Sequence, residues 1–136
     1  MNVFAREYVT IDYLFERKIL KLTWLGAVDS SDFITVMDWI IDKTDSLAFD
    51  YLLIDTRVQG AVKKEATDYA SSKMNWLFET NKLKAAFFVL PLSLYTQMSI
   101  DMFQLELAAN QNGQNIRYFV TVDEALKNIP KSDEYE

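Results

Sequence analysis

An aspartate, a threonine and an arginine, Asp55, Thr56 and Arg57, directly follow the short apolar run Tyr51-Leu52-Leu53-Ile54. If that run is a parallel strand, these residues open into the crevice in which ligands of open α/β sheets usually sit. A guanidinium there can clamp a carboxylate or phosphate through two parallel hydrogen bonds, which makes Arg57 the first candidate to meet an acidic group. An Asp and an Arg flanking a buried strand more often close their own loop as an ion pair, and both readings stand at this point. Pro91, Ser93 and Tyr95 follow the next apolar run in the same way. Lys73 is the second candidate, because it falls between Tyr69 and Trp76-Leu77 on an apolar helical face, where a fully buried ammonium is costly. There it could act as an amine nucleophile or hold an anion; alternatively its stem packs and its ammonium reaches water.

What the chain lacks narrows its chemistry. Its 136 residues include no histidine and no cysteine. Serine-histidine and histidine-metal arrangements, thiolate metal sites, cysteine nucleophiles and disulfides are thereby closed, and a reducing cytoplasm fits. The net charge of −6, with scattered Lys and Arg, argues against a nucleic-acid partner, whose phosphates demand clustered cations. Three glycines form no phosphate-cradling loop. No spacing among the 20 carboxylates singles out a metal site, so neither metal nor cofactor is expected. No apolar run approaches the roughly 18 residues of a membrane span, and the first residues read as no leader segment. A single cytoplasmic domain over residues 1–136, without stable membrane insertion, is the expectation.

Three apolar runs must position the candidates: Tyr51 to Ile54, Ala85 to Leu90 and Ile116 to Val120. Their apolar residues are consecutive instead of alternating, and each run precedes a helix-forming segment. That pattern suits parallel strands covered on both faces. Ahead of them, Val9, Ile11, Tyr13 and Phe15 alternate with Thr10, Asp12 and Leu14, and Leu20, Leu22 and Trp24 with Ile19, Lys21 and Thr23, so the two runs predict an antiparallel hairpin with a tip at Glu16-Arg17-Lys18. Ser30 or Ser31 could cap a first helix whose buried stripe is Phe33, Val36, Met37, Ile40 and Ile41, with Trp39 off the stripe. A second helix from about Val62 to Glu79 carries Ala66, Tyr69, Ala70, Trp76 and Leu77 on one face. A third ends near Asn110, before Gly113. Thr121-Val122-Asp123-Glu124 has the capping-box spacing for a short terminal helix through Ile129. The expected fold is therefore α/β: a five-stranded mixed, mainly parallel sheet with an N-terminal antiparallel hairpin and about four helices.

In that order of elements the chain resembles the STAS-like superfamily of bacterial anti-sigma-factor antagonists, which shares its fold with the lipid-carrying CRAL-TRIO domains, and in particular the small SpoIIAA-like bacterial proteins. The likeness is carried by Ile19-Leu20-Lys21-Leu22-Thr23-Trp24-Leu25-Gly26, by Leu53-Ile54-Asp55-Thr56-Arg57, by Val89-Leu90-Pro91, and by Arg117-Tyr118-Phe119 with Asp123-Glu124-Ala125-Leu126. It implies a βα superhelix. In the antagonists an Asp-Ser-Ser motif after the third strand carries the phosphorylated serine. Here that stretch reads Gln59-Gly60-Ala61-Val62-Lys63-Lys64-Glu65, with no hydroxyl, so the phosphorylation switch does not carry over. Asp29-Ser30-Ser31 precedes a different helix, where capping is its ordinary role.

The third helical stretch supplies the strongest functional clue. Met98, Met102, Leu105 and Ala109 recur on one side and Ile100, Phe103 and Leu107 on the other, nearly half a turn apart, so one sheet cannot cover both stripes. Trp39, Met74 and Phe78 add to this apolar surplus. Two functions follow. The first is a non-enzymatic binding or interaction module, dimerising through Ile100, Phe103 and Leu107 and holding an apolar or acyl-like small molecule, as the CRAL-TRIO likeness implies. Its site would lie between the second and third helices at the carboxyl ends of the strands, with Trp76, Phe78 and Met98 as apolar wall and Arg57 or Lys73 meeting the head. The second is a small enzyme using Asp55, Arg57 or Lys73 on a small acidic substrate. If the surplus stripe is an interface, sedimentation at micromolar concentration gives a homodimer, and Phe103→Asp gives a monomer, because a charge on that stripe cannot be buried without a partner.

Overall fold

The computed structural model describes residues 1–59, 62–93 and 116–130. The described strands form one six-stranded sheet, β1 (Asn2–Arg6), β2 (Val9–Leu14), β3 (Ile19–Trp24), β4 (Tyr51–Asp55), β5 (Ala85–Val89) and β6 (Ile116–Phe119), whose spatial order is their chain order. The first three pair antiparallel and the remaining neighbours parallel. Among the described residues the helices are α1 (Ser30–Asp42), α2 (Lys64–Glu79) and α3 (Val122–Asn128). The expected third helix, including Met98, Ile100, Phe103 and Leu107, lies outside the described residues.

The hairpin has the expected parity. Val9 faces Trp24, Ile11 faces Leu22 and Tyr13 faces Leu20, which puts all six side chains on one face. Its tip closes without an Asn-Gly pair because Lys18 takes the left-handed conformation, with φ of 56°. The sheet has one strand more than the sequence suggests. In β1 only Phe4 is buried, so Asn2 to Arg6 offers too little alternation to read as a strand. The Asn2 amide donates to the carbonyls of Phe4 and Ile11, at 3.1 and 3.2 Å, where the β1–β2 register shifts.

Two cores result, one on each face of the sheet. On the first, Leu20, Leu22, Leu52, Ile54 and Ala86 pack against Phe33, Val36 and Ile40 of α1 and Ala66 and Leu77 of α2. On the second, Ile19, Tyr51, Leu53, Phe87 and Val89 pack against Ala125 and Ile129 at α3. Each fully buried aliphatic side chain contributes about 1.5–3 kcal/mol.

Local signals set the helix ends. Asp29, and not Ser30 or Ser31, caps α1: its backbone is extended and its carboxylate accepts from the Asp32 N–H at 2.8 Å, whereas both serines are already helical. Thr121 caps α3 as expected, accepting from the Glu124 N–H at 3.1 Å. Arg17 at the hairpin tip donates to the carbonyls of Leu126 and Ile129, at 2.7 and 2.9 Å, and so satisfies the other end of α3. Of the off-stripe residues, Trp39 is covered by β1: its ring lies 5.1 Å from that of Phe4. Replacing Phe4 with Ala should lower unfolding free energy by about 3 kcal/mol, the low end for a buried Phe at a sheet edge, and shift tryptophan emission to the red as Trp39 meets water. Urea titration followed by fluorescence measures both.

Candidate functional site

Strand alternation decides what meets at the carboxyl end of the sheet. Leu22, Ile54, Phe88 and Tyr118 are paired in one row across β3 to β6, on the face covered by α1 and α2. Here the two helices leave a cavity of about 300 Å³. Its floor is Trp24, Ile54, Phe88, Ile116 and Tyr118 from the strands. Phe33 and Met37 of α1 face Ala70 and Met74 of α2 across it. Thr56, Gln59, Thr67 and Ser71 supply its polar rim. The rings come in two stacked pairs, Trp24 with Phe33 at 5.2 Å between centroids and Phe88 with Tyr118 at 5.7 Å. Among the described residues, the Tyr118 phenol is the ionisable side chain that borders the cavity.

Because Ile54 faces this cavity, Asp55 points to the opposite face and Thr56 returns to the cavity side. Thr56 spends its hydroxyl and its N–H on the Val89 carbonyl, both at 2.9 Å, which ties the end of β4 to β5 and leaves the hydroxyl oxygen as an acceptor. Asp55 is the buried charged residue among those described, 5% exposed. It accepts from the Arg57 backbone N–H at 3.1 Å and from the guanidinium Nε and Nη2 at 3.0 and 2.8 Å, a two-point fork. Burial alone would raise the Asp55 carboxyl; the Arg57 side-chain and backbone hydrogen bonds and its charge outweigh that and hold it below the ordinary value of 3.8. Arg57 therefore closes its own loop, with two of its donor nitrogens engaged, and does not border the cavity.

The other expected site residues are dispersed. Lys73 places its stem against a separate void of about 20 Å³ between α1 and α2, and its ammonium stands 5.2 Å from the centre of the Tyr69 ring. The Tyr69 hydroxyl donates to Asp38 of α1, and that hydrogen bond raises its pKa above the usual tyrosine value. Trp76 is exposed at 40%, one helical step away from buried Leu77, and Phe78 packs at the margin of the first core. Neither borders the cavity. Met98, Ile100, Phe103, Leu107 and Tyr95 lie outside the described residues. Thr56 is the expected residue that does line the cavity; Trp24, Phe33, Met37, Phe88 and Gln59 are the ones sequence reasoning passed over. Their signal was parity, since every second residue up to Ile54 and Phe88 belongs to one face.

Among the described residues, no group of acidic side chains is placed to hold a metal ion, and no helix is long and apolar enough to cross a membrane.

No family model matches the chain, and neither does any curated protein. Among solved structures it is similar to an uncharacterised protein of the DUF3478 family with a SpoIIAA-like fold from Shewanella loihica, with a TM-score of 0.60 and 14% identity over 96% of each chain. The fold is thus SpoIIAA-like, as the sequence resemblance implies.

The fork generates a stability prediction. With its folded value below 3.8, the Asp55 carboxylate contributes stability that is fully present above about pH 4 and is lost as pH falls through the lowered folded value. Arg57→Ala leaves that carboxylate buried without its partner, which should cost about 1.5 kcal/mol at pH 7, the low end for a charged hydrogen bond because the guanidinium is partly in water. Urea unfolding of both proteins should show the difference shrink as the pH is taken below the folded Asp55 value.

Proposed function

We propose that the chain is a non-enzymatic binding module whose ligand is an apolar small molecule held between the sheet and helices α1 and α2. The observation that carries this reading is the cavity of about 300 Å³ at the carboxyl ends of the parallel strands, where sheets of this kind bind ligands. Its lining supports the same reading. Apolar side chains dominate, four aromatic rings and two methionines among them, and a few uncharged polar groups stand at the rim, which is the usual composition of a pocket that sequesters a ligand. The CRAL-TRIO likeness points the same way.

An enzyme built on Asp55, Arg57 or Lys73 draws less support. Asp55 and Arg57 occupy each other, and Lys73 belongs to a different void, so the three do not converge on one substrate. The acid clamp expected of Arg57 would require the fork to open, at the cost of a buried unpaired carboxylate. The homodimer through Ile100, Phe103 and Leu107 and the cytoplasmic location belong to the same proposal, on the amino-acid pattern and the absence of cysteine.

Mass spectrometry of protein taken from its host, sprayed first under gentle and then under denaturing conditions, tests the reading. A mass excess present only under gentle conditions, released as a small apolar compound, is the expected result. Identical masses under both conditions, together with an unchanged melting temperature in the presence of a panel of apolar compounds, would overturn it.

A further inference from the structure

We infer that the cavity takes an uncharged ligand built on a flat ring system of about two fused rings, with a single hydroxyl or amide group met by Gln59. The inference rests on the binding reading above and names the chemical class that reading leaves open. Size sets the first limit. An apolar cavity of roughly 150 Å³ accommodates benzene, so about 300 Å³ fits two fused rings. Wall chemistry sets the second. Trp24, Phe33, Phe88 and Tyr118 bring four rings to the cavity lining, and an aromatic ring gains from offset or edge-to-face contact with another flat ring beyond the area it buries. Met37 and Met74 complete the wall with polarizable side chains that adapt to a ring edge.

Charge sets the third limit. A carboxylate or ammonium brought into this cavity would lose its water and, among the described residues, find no opposite charge on the lining, because the guanidinium closest in sequence, Arg57, is held by Asp55 on the other side of β4. The rim instead offers neutral groups. Thr56 has given its hydroxyl proton to the Val89 carbonyl, and Thr67 has given its own to the Lys64 carbonyl, so each retains acceptor capacity. Gln59 brings a side-chain amide, both donor and acceptor, to the same rim. A lone hydroxyl or amide on the ligand is what such a rim can satisfy.

Isothermal titration of the full chain at pH 7 with naphthol, naphthalene, naphthoate and dodecanoate tests the inference. Naphthol should bind, with naphthoate about tenfold or more weaker, since the two share rings and differ in charge. Gln59→Ala, at a partly exposed loop position, should weaken naphthol roughly fivefold and leave naphthalene unchanged. Ala70→Phe, which fills the cavity from α2, should remove binding of both. If that variant does not fold, Gln59→Ala decides alone, and naphthol affinity unchanged in it overturns the assignment. Naphthoate or dodecanoate bound as tightly as naphthol overturns the neutral, flat class while the binding reading stands. No binding of any of the four compounds overturns the inference and counts against that reading too.

Discussion

The structure depends on a single geometric constraint, the alternation of side chains along β4 and β5, two central strands covered on both faces. Ile54 and Phe88 go to the face under α1 and α2, and Leu53 and Phe87 go to the face under α3. A slip of one residue would exchange the two sets and put Asp55 into the first core, so the register is held by the full burial of both faces. The same alternation separates charge from cavity. Asp55 and Arg57 stand within three residues of a space lined by neutral groups and still belong to the other side of the sheet.

Burying a carboxylate is costly, and the chain tolerates it because the partner lies two residues away and reaches it from backbone and side chain together. A local fork of this kind fixes the loop after β4 with little loss of chain entropy, because few bonds separate the partners. Thr56, between the two, ties that loop to β5 through the Val89 carbonyl. The exit of β4 is therefore held on both faces. That gives the cavity a firm wall on the sheet side, independent of whatever occupies it.

Much of this architecture was legible in the amino-acid pattern, for identifiable reasons. The hairpin pairing of Val9 with Trp24 and of Ile11 with Leu22 follows from strict alternation. The runs from Tyr51 and Ala85 announce doubly covered strands, and Thr121 with Glu124 announces a helix start. β1 was not legible because Phe4 is its one buried residue, and Trp39 therefore looked like surplus until a strand covered it. Asp29 was passed over for the neighbouring serines, since all are good caps and only the backbone angles distinguish them. The sequence places a site wall at Trp76, Phe78 and Met98 with Arg57 or Lys73 at the head; Met98 lies outside the described residues, and the other four do not border the cavity. It lies among aromatic residues whose convergence depends on which face each strand turns inward, and consecutive apolar residues do not declare that.

Arg17 joins the tip of the hairpin to the carbonyls of Leu126 and Ile129, residues 109 and 112 positions away. Nearly the whole chain must be gathered before this contact can form, and the entropy of closing so long a loop is lost first. The hairpin itself closes locally and early. Among the described residues, the helix that packs on the Leu53–Phe87 side of the sheet is α3, so that side gains this cover only after residues 122–129 have been made.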